Sequence, residues 1–349
     1  MTIWPDFLTQ QCARITEEDG ASTIAFAHAN ATETARTNFV TPLVHLGLIA
    51  ATGEDAPTFL HSQLTNDVAH LSQNEARLAG YCSPKGRLMA SMLIWKQEDR
   101  ILLQLARELQ PALQKRLSMF VLRSKAKLTD ANEELVSLGL VGPAAASALL
   151  PWFAELPVSI YDKISSEAGT VIRHANAFGI PRYQWITTPA RAIEAWPHLV
   201  SILQAAGSDA WKLAEIDGGI PHITTATQEK FVPQMINFEL LGGVNFKKGC
   251  YPGQEIVARS QYLGKLKRRM LHARIATDGA VAAGTEIFTS EDPDQPCGMV
   301  VNTARVDAQQ VDCLVEIKLA AADASVHLGA ADGPALAFQP LPYELTDPA

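Results

Sequence analysis

Lys248-Gly249-Cys250-Tyr251-Pro252-Gly253-Gln254-Glu255 tells more about this 349-residue chain than any other stretch of it. One thiol stands between two glycines and behind Lys247 and Lys248, where a loop turns into a helix. Pro252 suits the first helical position, because its missing N–H costs nothing there. Gln254 and Glu255 then fall in the first turn, where an acid complements the positive end of the helix dipole. Gln254-Glu255-Ile256-Val257-Ala258-Arg259 continues as helix. A thiol so close to a helix start, with lysines beside it, ionises more readily than a free cysteine. The glycines let another molecule approach the backbone closely. The same residues also suit a small, half-buried cysteine in a tight turn. Exposure separates the two readings, and exposure belongs to the fold.

Composition narrows the class. The chain is 47% hydrophobic and 19% charged, ordinary values for a globular protein and against extensive disorder. Its length allows about two domains with a sizeable core. No stretch approaches the ~20 apolar residues of a membrane span. Met1-Thr2-Ile3-Trp4-Pro5-Asp6 lacks the basic and apolar regions of a secretory signal. Cys12, Cys82, Cys250, Cys297 and Cys313 are an odd set without a C-x-x-C pair, so neither a disulfide framework nor a metal site is indicated. A reducing cytoplasm is the expected compartment.

Net charge is −8, yet residues 247 to 269 carry +6, from Lys247, Lys248, Arg259, Lys265, Lys267, Arg268 and Arg269 against Glu255 alone. Such a field attracts a polyanion; a strand edge with solvated basic side chains reads the same way. The acidic remainder argues against stable nucleic-acid binding and for a small anion or a docking partner.

Patterning gives strands at 43–49, 76–82, 87–96, 100–105, 125–129 and 135–141, and helices at 56–71 and 109–121. Gly142-Pro143 opens an alanine-rich helix, 158–186 holds two or three strands, and 197–206 is helical. After Met270 short strand-like runs and Pro/Gly turns suggest a small β-domain. Without a glycine-rich nucleotide fingerprint, these elements read as α+β layers rather than a Rossmann domain. Residues 1–40 read as a loosely attached N-terminal extension.

The segment from Phe246 to Arg259 resembles the signature of the YgfZ family of folate-binding proteins, relatives of the glycine-cleavage T-protein. Phe59-Leu60-His61-Ser62-Gln63-Leu64-Thr65-Asn66-Asp67-Val68 is similar to that family's early helix. Ser83-Pro84-Lys85-Gly86-Arg87 is similar to its first hairpin, and Leu122-Arg123-Ser124-Lys125-Ala126 to a following strand. Gly219-Ile220-Pro221, Phe231-Val232-Pro233-Gln234-Met235 and Leu341-Pro342-Tyr343 complete the match, which covers roughly residues 41 to 345.

The resemblance implies an α+β, T-protein-like fold, with interleaved ferredoxin-like modules around a central folate cavity and a C-terminal small β-barrel. The expected division is an extension at 1–40, a folate-binding core at 41–270 and a β-barrel domain at 271–349. Within the core, about 41–141 plus 207–270 would form one sub-module and 142–206 the other. Tetrahydrofolate, polyglutamylated or not, is the implied cofactor. Its pterin would meet a carboxylate at Asp217, one methylene shorter than the family's glutamate, or at Glu215. Lys248, Gly249, Tyr251, Gln254 and Arg259 are the binding candidates of the signature, and Cys250 is its functional thiol.

Asp67 is a candidate acid or base, although Asn66-Asp67 equally suits a turn. No histidine pattern nominates a base for Cys250. T-proteins lack the Cys250 signature, so the resemblance favours a folate-binding accessory protein. Its work would be assembly or repair of iron–sulfur clusters in client enzymes, including radical enzymes that modify tRNA. A folate-dependent aminomethyl transferase is the alternative. Cys250 alone cannot hold a cluster, and Cys82, Cys297 and Cys313 read as core.

Overall fold

Ser83-Pro84-Lys85-Gly86 closes a tight turn: Gly86 N–H donates to the Ser83 carbonyl (2.9 Å) and Ser83 N–H to that of Arg87 (2.8 Å). The runs on either side of it pair as neighbouring strands. The computed structural model describes residues 3–18, 20–27, 38–262 and 266–346. They fall into two compact units. One comprises Met1–Leu60, Val68–Arg77 and Met92–Ala214; the other comprises His61–Asp67, Leu78–Ser91 and Glu215–Ala349.

In chain order the first strands are β1 (Ala13–Glu18), β2 (Ala21–Phe26), β3 (Phe39–Pro42) and β4 (Leu46–Thr52). Then come β5 (Ala76–Cys82), β6 (Leu88–Gln97), β7 (Arg100–Ala106), β8 (Lys127–Asp130) and β9 (Val136–Val141). Next are β10 (Lys163–Ser166), β11 (Gly169–Ala177), β12 (Ile180–Thr187) and β13 (Gln204–Ala205). They build a six-stranded sheet, β10-β11-β12-β9-β3-β13, a five-stranded sheet, β5-β6-β7-β4-β8, and the β1-β2 hairpin.

Residues 1–40 are not loosely attached where they are described. Trp4 and Leu8 on the helix Ile3–Gln10 join the core of the first unit, and Trp4 packs edge-on against Trp196 with centroids 5.9 Å apart. Residues 28–37 of that expected extension lie outside the described residues, as does Lys265 of the basic run.

Several boundaries move, each for a local reason. Of the expected strand 43–49, residues 43–45 form the turn after β3, and the strand begins only at Leu46, as β4. The expected helix 56–71 stops at Gln63 although Leu64, Val68 and Leu71 are all buried. Thr65 donates from Oγ1 to the Gly243 carbonyl (2.6 Å), and Asn66 donates from Nδ2 to those of Leu78 (2.6 Å) and Gly242 (2.7 Å). These bonds hold the chain out of helical register, so the apolar spacing marks a core and not a helix. The later helix begins at Pro189, not Pro197, because Thr188 caps it by accepting the Arg191 N–H; Pro197 sits inside. Leu122 to Ala126 is a turn, with Leu122 in the left-handed region at φ 45°, and the strand starts only at Lys127.

The end of the chain forms β14 (Arg268–Ala276), β15 (Glu286–Thr289), β16 (Gly298–Asp307), β17 (Gln310–Lys318), β18 (Val326–Leu328) and β19 (Leu336–Gln339). They make one curled sheet in the order β18-β15-β16-β17-β14-β19, the expected C-terminal β-module. Cys297 and Cys313 lie in its core, as read from the sequence.

Arg274 and Asp312 face each other across β14 and β17 and form a two-pronged ion pair (2.6 and 2.7 Å), with His272 Nε2 3.5 Å from the same carboxylate. Burial pushes the Asp312 carboxyl up, but Arg274 and His272 outweigh it and hold it at about 2. The folded value lies below the unfolded one. Its stabilisation is therefore complete above the ordinary aspartate range and is lost as pH falls towards 2. Asp312→Asn should remove a stabilisation on the order of 2 kcal/mol at neutral pH and flatten the acid limb of the stability curve below about pH 4. Urea unfolding across that range checks it; an unchanged acid limb would refute this role for Asp312.

Candidate functional site

The signature loop and the hairpin turn pack glycine against glycine. Gly253 has φ +78°, and a Cβ placed there would lie 2.4 Å from the Ser83 carbonyl oxygen and 2.6 Å from Gly86 N. Gly86 has φ +69°, and its Cβ would lie 2.8 Å from Ile256 Cβ. Both positions need glycine for conformation and for space. The loop itself ends as Gln254 N–H bonds to the Tyr251 carbonyl (3.2 Å), and the helix runs Gln254–Tyr262. Pro252 therefore lies in the preceding turn, not at the first helical position. Glu255 does occupy the first turn and Arg259 the last, each suited to its end of the dipole.

Cys250 is exposed on this loop, whereas Cys82, Cys297 and Cys313 are buried. Exposure decides against the half-buried structural reading. Lys248 turns inward: its Nζ donates to the Leu64 carbonyl (2.8 Å) and to that of His61. It also stands 5.0 Å above the centre of the Tyr251 ring. Burial brings the Lys248 ammonium down to about 8, against the opposing pull of the Asp67 and Cys250 charges. Burial likewise pushes the Tyr251 hydroxyl well above its ordinary value. Lysine and tyrosine thus form the floor of the loop.

His61 is the residue that sequence reasoning missed. Its Nδ1 lies 3.0 Å from Asp67 Oδ1, and both side chains are mostly buried. A carboxylate only accepts, so the neutral ring carries its proton on Nδ1 and presents Nε2 as an acceptor. Nε2 lies 3.6 Å from where a Gly249 Cβ would stand, beside the residue that precedes Cys250. Asn66 Oδ1 accepts the Asp67 N–H (2.8 Å), which joins the expected turn role of Asn66-Asp67 to an ion-pair role for Asp67. The signal was available: a histidine and an aspartate six positions apart, at a helix end inside a motif segment.

The acids before Gly219-Ile220-Pro221 have partners of their own. Glu215 is buried with Oε1 3.0 Å from His222 Nε2, and Asp217 lies near enough to Arg274 to hold that guanidinium's proton more firmly. A carboxylate can accept about four hydrogen bonds, so one partner does not preclude a second donor. Gly219 accepts a hydrogen bond from Tyr343 Oη (2.8 Å), and Gln234 donates from Nε2 to the Val257 carbonyl (2.8 Å). The motif segments of this unit are thereby tied together. In the other unit, Gln184 donates to Gln104 (2.7 Å) while its Oε1 and the Trp211 Nε1 are buried without a hydrogen-bond partner among the described residues.

The basic window is less free than its charge suggests. Arg268 pairs with Glu316, and Arg269 pairs in full burial with Glu239 while donating to the Gln234 (3.1 Å) and Thr346 (2.7 Å) carbonyls. Lys267 is exposed. Three of the seven cations, Lys248, Arg268 and Arg269, are committed within the fold, so the +6 reading overstates the field at the surface.

Gly253→Ala should cost about 1–3 kcal/mol, since strain at φ +78° adds to a clash with backbone that cannot move aside. Gly242→Ala is the control, with φ +76° and nothing within 4 Å of its Cβ position. Equal losses in chemical denaturation would mean that the contact between the two turns contributes nothing.

No family model matches the chain. It is 30% identical over 306 residues to the tRNA-modifying protein YgfZ of Photorhabdus laumondii, across 86% of this chain and 91% of that protein. The Klebsiella pneumoniae protein of the same name is 29% identical over 303 residues, with the same coverage of both chains. Among solved structures, the glycine cleavage system aminomethyltransferase T of Bartonella henselae superposes with a TM-score of 0.78 over 97% of this chain and 96% of its own, at 17% identity. The T-protein-like fold expected from the sequence is therefore present. On the identity and coverage of these relatives, the chain belongs to the YgfZ family.

Proposed function

We propose that this protein binds tetrahydrofolate and serves as an accessory factor for assembly or repair of iron–sulfur clusters in client enzymes, tRNA-modifying radical enzymes among them. The observation that carries the reading is the exposed Cys250 on a loop whose floor is fixed by Lys248, Tyr251 and two facing glycines. A packed cysteine does not need such a frame, and a thiol that meets a partner does. The names of the relatives and the likeness to an aminomethyltransferase support the same reading.

Glu215 or Asp217 would face the pterin, since a carboxylate supplies the paired acceptors that the N–H edge of an aminopyrimidine ring needs. Gly249, Gln254 and Arg259 would border the bound molecule, with Lys248 and Tyr251 shaping the floor beneath. Bound tetrahydrofolate would supply one-carbon chemistry. The protein's own residues would orient it, keep Cys250 exposed and hold a proton at His61 Nδ1 against the Asp67 carboxylate.

The cluster is cargo here. A stable cluster takes several thiolates, so Cys250 would act as a transient or shared ligand beside a client or assembly factor. A reducing cytoplasm suits such a thiol, and no helix of the described residues is long and apolar enough to cross a membrane.

Aminomethyl transfer is the second reading, favoured by the T-protein fold and by the Asp67–His61 pair. Calorimetric titration with tetrahydrofolate should show binding that weakens by about 1.5–3 kcal/mol when the contacting carboxylate is truncated. Asp217→Ala is the cleaner variant, because Glu215→Ala also removes the buried carboxylate that pairs with His222. Cells lacking the protein should recover iron–sulfur enzyme activity with the wild type and not with Cys250→Ser. Absence of folate binding refutes the cofactor assignment, and full rescue by Cys250→Ser refutes the thiol. Formaldehyde release from an aminomethyl donor would move the assignment to the transferase.

A further inference from the structure

We propose that the turn after the helix Gln110–Phe120, with the cations around it, is a contact surface for an anionic lipid bilayer. The inference stands apart from the folate and thiol reading and concerns the first unit alone. It gives a role to Leu122-Arg123-Ser124-Lys125-Ala126, a motif segment that the candidate site does not use.

The apolar tip of this turn is bare and held in place. Met119, Phe120 and Leu122 are 61%, 47% and 88% exposed, whereas Leu113 and Leu117 of the same helix are buried. Leu122 has φ 45°, a conformation that a leucine adopts only under strain. A residue both strained and open to water is not explained by packing. The base of the turn is pinned. Ser124 N–H donates to the Val121 carbonyl (2.8 Å), Lys125 N–H to Asp55 Oδ2 (2.7 Å) and Asp55 N–H back to the Lys125 carbonyl (3.3 Å). Gly53, at φ +103°, lets that carbonyl approach, since a Cβ there would lie 2.1 Å from its oxygen. The leucine is presented on a fixed support.

Residues 115–127 carry five cations, Lys115, Arg116, Arg123, Lys125 and Lys127, and no acid. All but Arg116 are exposed. Lys125 also meets Glu54 (2.6 Å), but both side chains are mostly in solvent, where such a pair is worth little. The whole chain is −8, yet fields fade within roughly 8 Å at physiological salt, so an approaching anionic surface meets this collar first.

Three properties select the occupant. Three of the four exposed cations are lysine, which protein interfaces disfavour and anionic bilayers attract. Leucine and methionine offer no face on which a base stacks, which counts against nucleic acid. A side chain standing clear of the surface needs a matching pocket in a protein partner, whereas lipid yields to it. Met119, Phe120 and Leu122 would enter the headgroup region, with the lysines beside the lipid phosphates.

The full chain is sedimented with vesicles of phosphatidylcholine, alone or with about 30% phosphatidylglycerol. Wild type should pellet with the anionic vesicles and be released by added salt. Phe120→Ser combined with Leu122→Asn should lower the bound fraction by about tenfold or more. Leu122→Asn alone should leave urea unfolding unchanged or improved, because asparagine tolerates the left-handed region, so its loss of binding is not loss of fold. Lys115→Glu with Arg123→Glu should abolish the preference for anionic vesicles. Hydrogen exchange at the amides of residues 118–124 should slow when anionic vesicles are added. Wild type that stays in the supernatant with both compositions overturns the proposal and leaves the turn to a protein partner. Binding that survives the loss of Phe120 and Leu122, equal binding to neutral vesicles, or protection confined to other segments overturns it as well. So does protection of this turn by added tRNA when vesicles have no effect, which would assign it to nucleic acid.

Discussion

Two tight turns meet at Gly86 and Gly253, and the candidate site depends on that contact. Neither glycine can carry a side chain, because each Cβ would enter the backbone or the first side-chain atom of the opposite turn. Both hold positive φ, which an ordinary residue adopts only under strain. The contact fixes where the helix Gln254–Tyr262 starts and so sets the span left to residues 248–252. Within that span Lys248 and Tyr251 point inward and Cys250 is left outside. A thiol becomes available because its neighbours are committed.

Charge in this protein is a poor guide to surface chemistry. The window from Lys247 to Arg269 carries seven cations in the sequence. Lys248 is spent on two carbonyls, Arg268 on Glu316 and Arg269 on Glu239. An ion pair buried as deeply as Arg269–Glu239 loses several kcal/mol per ion in desolvation, and regains it only through close geometry and further hydrogen bonds. Arg269 has both, from Glu239 and from the Gln234 and Thr346 carbonyls. Its function is to close the fold around the residues that precede the loop.

Much of the fold was legible in the chain. Apolar runs bounded by turn residues located β5 to its ends, and β6, β7 and β9 to within a residue or two, because a strand buried on both faces reads as a nearly continuous apolar run. The segment after Gln63 was not legible in this way. Leu64, Val68 and Leu71 keep a helical spacing and are buried, yet Thr65 and Asn66 form long-range bonds to Gly242, Gly243 and the neighbouring strand. Those partners lie some 176 to 178 positions away for the loop glycines, and local propensity does not register them.

The sequence by itself determined the family and the α+β class, because motif wording and the order of strands and helices are written in adjacent residues. Only the tertiary structure decided that Cys250 is exposed, that Lys248 is turned inward, and that His61 lies next to Gly249 with Asp67 behind it. The reason is physical. Exposure and hydrogen bonding depend on which atoms are within a few ångströms, and residues 61 and 249 become neighbours only once the chain has closed on itself.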